Sequence, residues 1–176
     1  HSRGPQELLF LGKLDFRPNA EALRWFLAEV FPRLSDARLF AVGGGPPRWL
    51  VDAGQHDERI AVTGYVPDER RYLARCGALV LPLQSGGGSR LKALIALASG
   101  LPIVSTRVGM EGIDAEPGVH FLRADTPAEW VACLERLVAD PGLRQRLACA
   151  GRTLVEQHYD WSALRAAVRS AYNWLA

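Results

Sequence analysis

No stretch of this 176-residue chain approaches the ~20 consecutive apolar residues of a membrane-spanning helix, so no transmembrane segment is expected. Charge of one sign is not in excess either. The 21 Lys and Arg against 19 Asp and Glu leave a net +2, too little for bulk nucleic-acid binding, so no nucleic-acid partner is expected and any basic site has to be local. Cysteine is scarce: Cys76, Cys133 and Cys149 are odd in number and widely spaced, which fits a reduced, cytoplasmic protein better than a disulfide scaffold. His1, His56, His120 and His158 are scattered without ligand spacing, so no metal is expected. Internal repeats and low-complexity tracts are missing, and no secretory signal peptide opens the chain, which reads as a piece of something longer. Two nucleotide-binding motifs are absent as well. No Gly-Lys-Ser/Thr follows a glycine loop, and no Gly-x-Gly-x-x-Gly follows the first apolar run. Gly43-Gly-Gly45 does not substitute for the latter, because Pro46 and Pro47 stand where a helix N-terminus would be needed.

What is present is a chain 48% apolar, long enough for one domain with a real core. Strand-like runs fall at Glu7–Leu11, Arg38–Val42, Ile60–Val62, Ala78–Leu81, Pro102–Ser105 and Val119–Leu122. Helical patterns fall between them: Ala22 to Phe31, stopped near Pro32; a short piece at Trp49–Val51; Asp68 to Arg75; and a run leaving Arg90. Three more close the chain, at Pro127–Val138, Leu143 to about His158, and Ser162–Leu175. Alternating strands and helices with short connections predict a doubly wound α/β domain, a parallel Rossmann-like sheet covered on both faces.

The stretch Ser85-Gly-Gly-Gly-Ser-Arg-Leu-Lys92 stands out. It joins a buried strand to a helix whose apolar residues Leu91, Leu94, Ile95 and Ala98 share one face. Ser89 is the expected N-cap, which puts Arg90 and Lys92 at the first and third helical positions. There the helix dipole disfavours each cation by about 0.3–1 kcal/mol. Two cations on that end make sense with an anion in front of them, and phosphate is the obvious one. The other conspicuous loops, Gly12-Lys13, Gly43–Gly45, Gly64–Val66 and Thr106–Gly112, also follow strands. In an open parallel sheet all of them gather at the carboxyl edge, where ligands bind. Lys13, Arg17, Arg90 and Lys92 among them favour an anionic ligand of nucleotide size.

Several phrases carry a resemblance. They are Phe10-Leu-Gly-Lys-Leu-Asp-Phe-Arg-Pro-Asn19, Val62-Thr-Gly-Tyr-Val66, Pro82-Leu-Gln-Ser-Gly-Gly-Gly-Ser-Arg-Leu-Lys92, Ala98-Ser-Gly-Leu-Pro-Ile-Val-Ser-Thr106, Gly109-Met-Glu-Gly112 and Tyr159-Asp-Trp161. Together they resemble the C-terminal, donor-binding half of a GT-B-type, family-four retaining glycosyltransferase (glycosyl transferases group 1). The resemblance implies that residues 1–176 form a single nucleotide-sugar-binding lobe, with the N-terminal acceptor lobe absent. It implies a UDP- or GDP-sugar as donor, no cofactor and no metal, and transfer of a hexose-type sugar to a glycan or lipid-linked acceptor in polysaccharide biosynthesis. The full-length enzyme would be cytoplasmic or peripheral at the inner membrane.

By the same resemblance, Lys13, Arg90 and Lys92 would face the donor diphosphate together with Gly87, Gly88 and Ser89. The backbone at Tyr65 and Val66 would hold the base edge, and Gly86, Glu111 and Ile95 would lie in the ribose and sugar region. Asp114 shares the Glu111 loop and is a further candidate for sugar hydroxyls. No catalytic residue is assigned to this lobe. One departure matters: the family's Glu-x7-Glu motif falls on Gly87 and Ile95, so the carboxylate that accepts both ribose hydroxyls is missing. The ribose is then held otherwise, the affinity is weak, or the donor site has decayed. The alternatives are accordingly a non-catalytic nucleotide-binding or scaffold lobe, and a GT-B-like nucleotide-sugar epimerase. Trp161, Leu164, Val168, Tyr172 and Leu175 give the last helix an apolar face, from which a weak homodimer is expected.

Overall fold

The computed structural model describes residues 4–86 and 90–160. In chain order the elements are β1 (Gly4–Leu11), α1 (Arg17–Glu29), β2 (Arg38–Val42), α2 (Arg48–His56), β3 (Ile60–Gly64), α3 (Arg70–Arg75) and β4 (Cys76–Leu81), followed by α4 (Leu91–Ala98), β5 (Ile103–Ser105), β6 (Leu122–Arg123), α5 (Pro127–Ala139) and α6 (Pro141–His158). The six strands form one parallel sheet in the order β3-β2-β1-β4-β5-β6. The order reverses between β1 and β4, so the connections leaving those two strands diverge and open a crevice at their carboxyl ends.

The strands alternate sides as a pleat requires, and both sides are apolar. Leu8 and Phe10 join Phe26 of α1, Leu50 of α2 and Trp130 of α5 in one core layer. Leu9 joins Phe40, Leu79, Leu73 of α3 and Ala93, Ala96 and Leu97 of α4 in the other. Helix α6 serves both: Leu143 and Leu147 belong to the first layer and Leu154 to the second. β4 is buried along its whole length, as befits a strand covered on both sides.

Local chemistry explains the boundaries. Pro18 lies in the first turn of α1, where its missing N–H costs nothing, so that helix begins at Arg17, earlier than the Ala22 expected. Phe31 leaves it for a short 3₁₀ turn with Pro32. Thr126 and Glu129 form a reciprocal capping box at the start of α5, and Asp140 caps α6 through the Leu143 N–H at 2.8 Å. The sixth strand is a correction. It occupies Leu122–Arg123, not Val119–Leu122, because Val119 and His120 are turned back by bonds to the Glu116 carbonyl. Residues 162–175, with the apolar face expected there, lie outside the described residues.

Candidate functional site

The glycine turns after β1, β2 and β3 do gather at the carboxyl edge, stitched by short backbone bonds. Gly12 N–H donates to Val42 at 3.0 Å, Leu14 N–H to Gly44 at 2.8 Å and Gly43 N–H to Gly64 at 3.1 Å. Together with the first turns of α3 and α4 they enclose a cleft of about 530 Å³. Its floor is Leu11, Gly12, Lys13 and Val42–Gly44; one wall is Tyr65, Val66 and Glu69, and the other is Leu91, Lys92 and Ile95. The structure thus brings Lys13, Tyr65, Val66, Lys92 and Ile95 together around one space, as the sequence placed them.

Lys92 carries the electrostatics of this cleft. Its ammonium lies over the Phe10 ring, 5.1 Å from the centroid, and donates to Asn19 Oδ1 at 2.7 Å. Asn19 is itself buried (5% exposed), and its Nδ2 donates to the Lys13 carbonyl at 2.7 Å. Both neighbours dictate which way that amide faces, since an ammonium can only donate and a carbonyl can only accept. Among the described residues Lys92 therefore has a neutral partner and no carboxylate. Burial, aided by the nearby charge of Arg90, pushes its amine down to about 8. A sequence pattern had no way to single out Asn19 as part of the site. Its signal was position only, at the end of the phrase beginning Phe10.

Arg90 lies just behind. It takes the N-cap position of α4, so Lys92 is the second helical residue; both are one position earlier than expected. Its side chain is only 8% exposed. One Nη donates to the Gly86 carbonyl at 2.7 Å and stands 3.8 Å from the exposed carboxylate of Glu111. Its buried Nε has no partner among the described residues. The one other buried, unpartnered side-chain donor among them, Trp130 Nε1, sits in the apolar core. A buried guanidinium with an unused N–H is costly unless something fills the position.

The remaining candidates divide. Lys13 is exposed and leans on Asp15 at 3.6 Å. Gly86 adopts φ +120° against Pro18, tying the β4 loop to the start of α1. Glu111 reaches Arg90 but lines a separate groove with Met110, Gly112 and Arg123. Asp114 lines a third groove with His120 and His158. Arg17 is a correction: it is exposed and held by Glu21 at 2.7 Å. Gly87, Gly88 and Ser89 lie outside the described residues. The apolar stripe of α4 is a second correction. Leu91 (60% exposed) and Ile95 (37%) face outward into the cleft, and the buried residues are Ala93, Ala96 and Leu97. Among the described residues no group of His, Cys, Asp and Glu is placed to hold a metal ion, and no helix is long and apolar enough to cross a membrane.

Comparison with known proteins gives the following. The family described as glycosyl transferases group 1 matches residues 5–140. A glycogen synthase of Mycobacterium tuberculosis is 29% identical over 178 residues, covering 96% of this chain and 42% of its own length. Thus the chain spans less than half of that relative. Among solved structures, the Anabaena protein HepE in complex with UDP and glucose superposes with a TM-score of 0.73 at 14% identity, covering 96% of this chain and 48% of the other. The C-terminal domain of a glycosyl transferase group 1 family protein (LpcC) from Francisella tularensis gives 0.69 at 18% identity, covering 90% of this chain and 88% of that one. At such identities the structural matches speak for the fold.

Proposed function

This chain belongs to the glycosyl transferases group 1 family, and from that premise we propose that it is the donor-binding lobe of a glycosyltransferase. It takes up a UDP- or GDP-sugar at the carboxyl edge of its sheet. The lobe corresponds to the C-terminal half of a GT-B enzyme, whose N-terminal lobe would bring the glycan or lipid-linked acceptor. The sugar would be transferred with retention of configuration. In this reading Arg90, Lys92 and Lys13 stabilise the departing nucleoside diphosphate, with no metal assigned a part. The observation that carries it is the pair of desolvated cations: Lys92 bonded to a neutral amide, and Arg90 whose Nε–H has no partner among the described residues and whose one carboxylate neighbour, Glu111, is exposed. A diphosphate supplies the missing acceptors and charge. The HepE complex, which holds UDP on the same fold, supports the nucleotide. The curated relative named glycogen synthase supports sugar transfer.

Titration calorimetry with UDP and GDP tests the reading, and its pH dependence is specific. A diphosphate favours protonated Lys92 and raises its pKa. Below about 8 the amine is already charged and affinity is level. As pH rises above about 8, binding has to take up a proton, and affinity falls by up to about tenfold per pH unit. Lys92→Arg, always charged, flattens the profile. A pH-independent affinity in the native chain would count against the assignment of Lys92. A second expected outcome concerns catalysis. The 176-residue chain binds nucleotide yet transfers no sugar to any acceptor, because the opposing lobe is not part of it. Steady turnover by the chain alone would refute its assignment as one lobe.

The exposed Ile95 favours one rival, a lobe whose donor site has decayed, because it sets an apolar side chain in the cleft. Failure of both nucleotides to bind would select that rival.

A further inference from the structure

Three polar residues are buried among the described residues: Asn19, Ser105 and Thr106. The two hydroxyls serve the chain around them. Ser105 bonds back to the Thr106 carbonyl at 2.9 Å, and Thr106 donates to the Leu83 carbonyl and accepts from the Gly109 N–H. Asn19 instead joins three separate segments. It is the third residue of α1, where its backbone N–H donates to the Phe16 carbonyl at 2.8 Å. Its Oδ1 receives Lys92 of α4 and its Nδ2 donates to the carbonyl of Lys13 after β1, each at 2.7 Å. Gly12 makes room for this junction: a methyl there would stand 3.0 Å from Lys92 Nζ and 3.1 Å from Asn19 Nδ2.

An amide satisfies both neighbours, with an oxygen toward the ammonium and an N–H toward the carbonyl. Aspartate, equal in shape, would meet the Lys13 carbonyl with a second oxygen and would give Lys92 a permanent counter-ion. The other charged groups near the cleft do not supply one. Lys13 pairs with Asp15 at 3.6 Å, and Glu69 lies on the far wall with Tyr65 and Val66. Arg90, the neighbour whose charge acts on Lys92, repels it. Among the described residues the ammonium is thus fixed in place and left unneutralised.

We propose that Asn19 is a positioning residue of the diphosphate site: it fixes the Lys92 ammonium in the cleft with a neutral oxygen, so that the ligand and not the protein supplies the counter-charge. The proposal rests on the donor-lobe reading and adds the residue through which Lys92 is held ready. Calorimetry with UDP and GDP between about pH 7 and 9 tests it on the native 176-residue chain, on Asn19→Asp and on Asn19→Ser. In the native chain affinity falls above about pH 8, where Lys92 loses its proton. Asn19→Asp should bind about tenfold or more weakly at neutral pH, the equivalent of one charge-assisted bond, and its affinity should then stay level. A carboxylate at bonding distance favours the charged amine and raises its pKa, so binding no longer takes up a proton. Asn19→Ser, uncharged but shorter, should weaken binding several-fold and keep the fall above about pH 8.

Urea unfolding accompanies each variant, because a residue that merely supports α1 would move the unfolding midpoint and leave the pH profiles alone. The serine variant decides should the aspartate one fail to fold. A native-like fall in Asn19→Asp overturns the proposal, as does unchanged affinity in Asn19→Ser or a native profile level across the range. In each of these cases the donor lobe stands. A native chain that binds neither nucleotide overturns both.

Discussion

Gly43→Ala is expected to lower folding stability by about 2–6 kcal/mol, from an overpacking and a backbone term of about 1–3 kcal/mol each. Gly43 directly follows β2 at φ +149°, a conformation side chains rarely adopt. A methyl group there would overlap the carbonyl oxygen of Gly12. That carbonyl has little room to retreat, because the Gly12 N–H is bonded to Val42 at 3.0 Å and Lys92 and Asn19 lie close against Gly12 on its other side. Relief would have to come from parting β1 and β2 at the floor of the cleft. Gly64→Ala is the control. Gly64 also has positive φ, at +67°, but nothing lies within 4 Å of its added methyl, so only the backbone term of about 1–2 kcal/mol remains. Urea unfolding of both variants, compared by midpoint at constant slope, makes the measurement. Equal losses would mean that the two strand ends are not packed as described.

Arg90→Ala is expected to cut nucleoside diphosphate affinity by about 100-fold or more, the equivalent of about 3 kcal/mol for one or two charge-assisted bonds. The chain itself should unfold at nearly the same denaturant concentration, or slightly higher. The bond to the Gly86 carbonyl and the 3.8 Å ion pair with the exposed Glu111 are lost, but a buried cation with an N–H unused among the described residues is removed along with them. Opposite effects on binding and folding separate a ligand-directed arginine from a structural one. Arg90→Lys keeps the charge without the planar fork and should fall between. If Arg90→Ala destabilises the fold and leaves affinity unchanged, the guanidinium serves the loop after β4 and the charge argument fails.

The architecture was largely legible in the sequence. Arg38–Val42 is a strand over the same residues that the apolar run marks, and the parallel order follows from strands and helices that alternate with short links. The edge where Gly12, Gly43, Gly64 and the β4 loop meet follows from the same rule. Helix α4 shows where reading from sequence stops. With Leu91, Ala93, Leu94, Ile95, Ala96, Leu97 and Ala98 it is apolar nearly all round, so spacing alone could not say which stripe is buried. The choice is made by α6, which packs on α4; there Gly151 lets Leu97 approach so closely that a methyl on the glycine would meet it at 2.6 Å. Leu91 and Ile95 are thereby left to the cleft.

The site divides in the same way. Periodicity, glycine placement and the order of elements determined that Lys13, Lys92 and the Tyr65–Val66 turn belong to one edge, because these are properties of the local chain and of the pleat. Only the tertiary structure decided that Asn19 holds Lys92, that Arg17 goes to Glu21 instead, that Arg90 is buried with an N–H to spare, and that Glu69 shares a cleft with Ile95. Those outcomes depend on which long side chains meet after distant segments dock. Partner choice, desolvation and unmet hydrogen-bonding capacity arise only at that meeting.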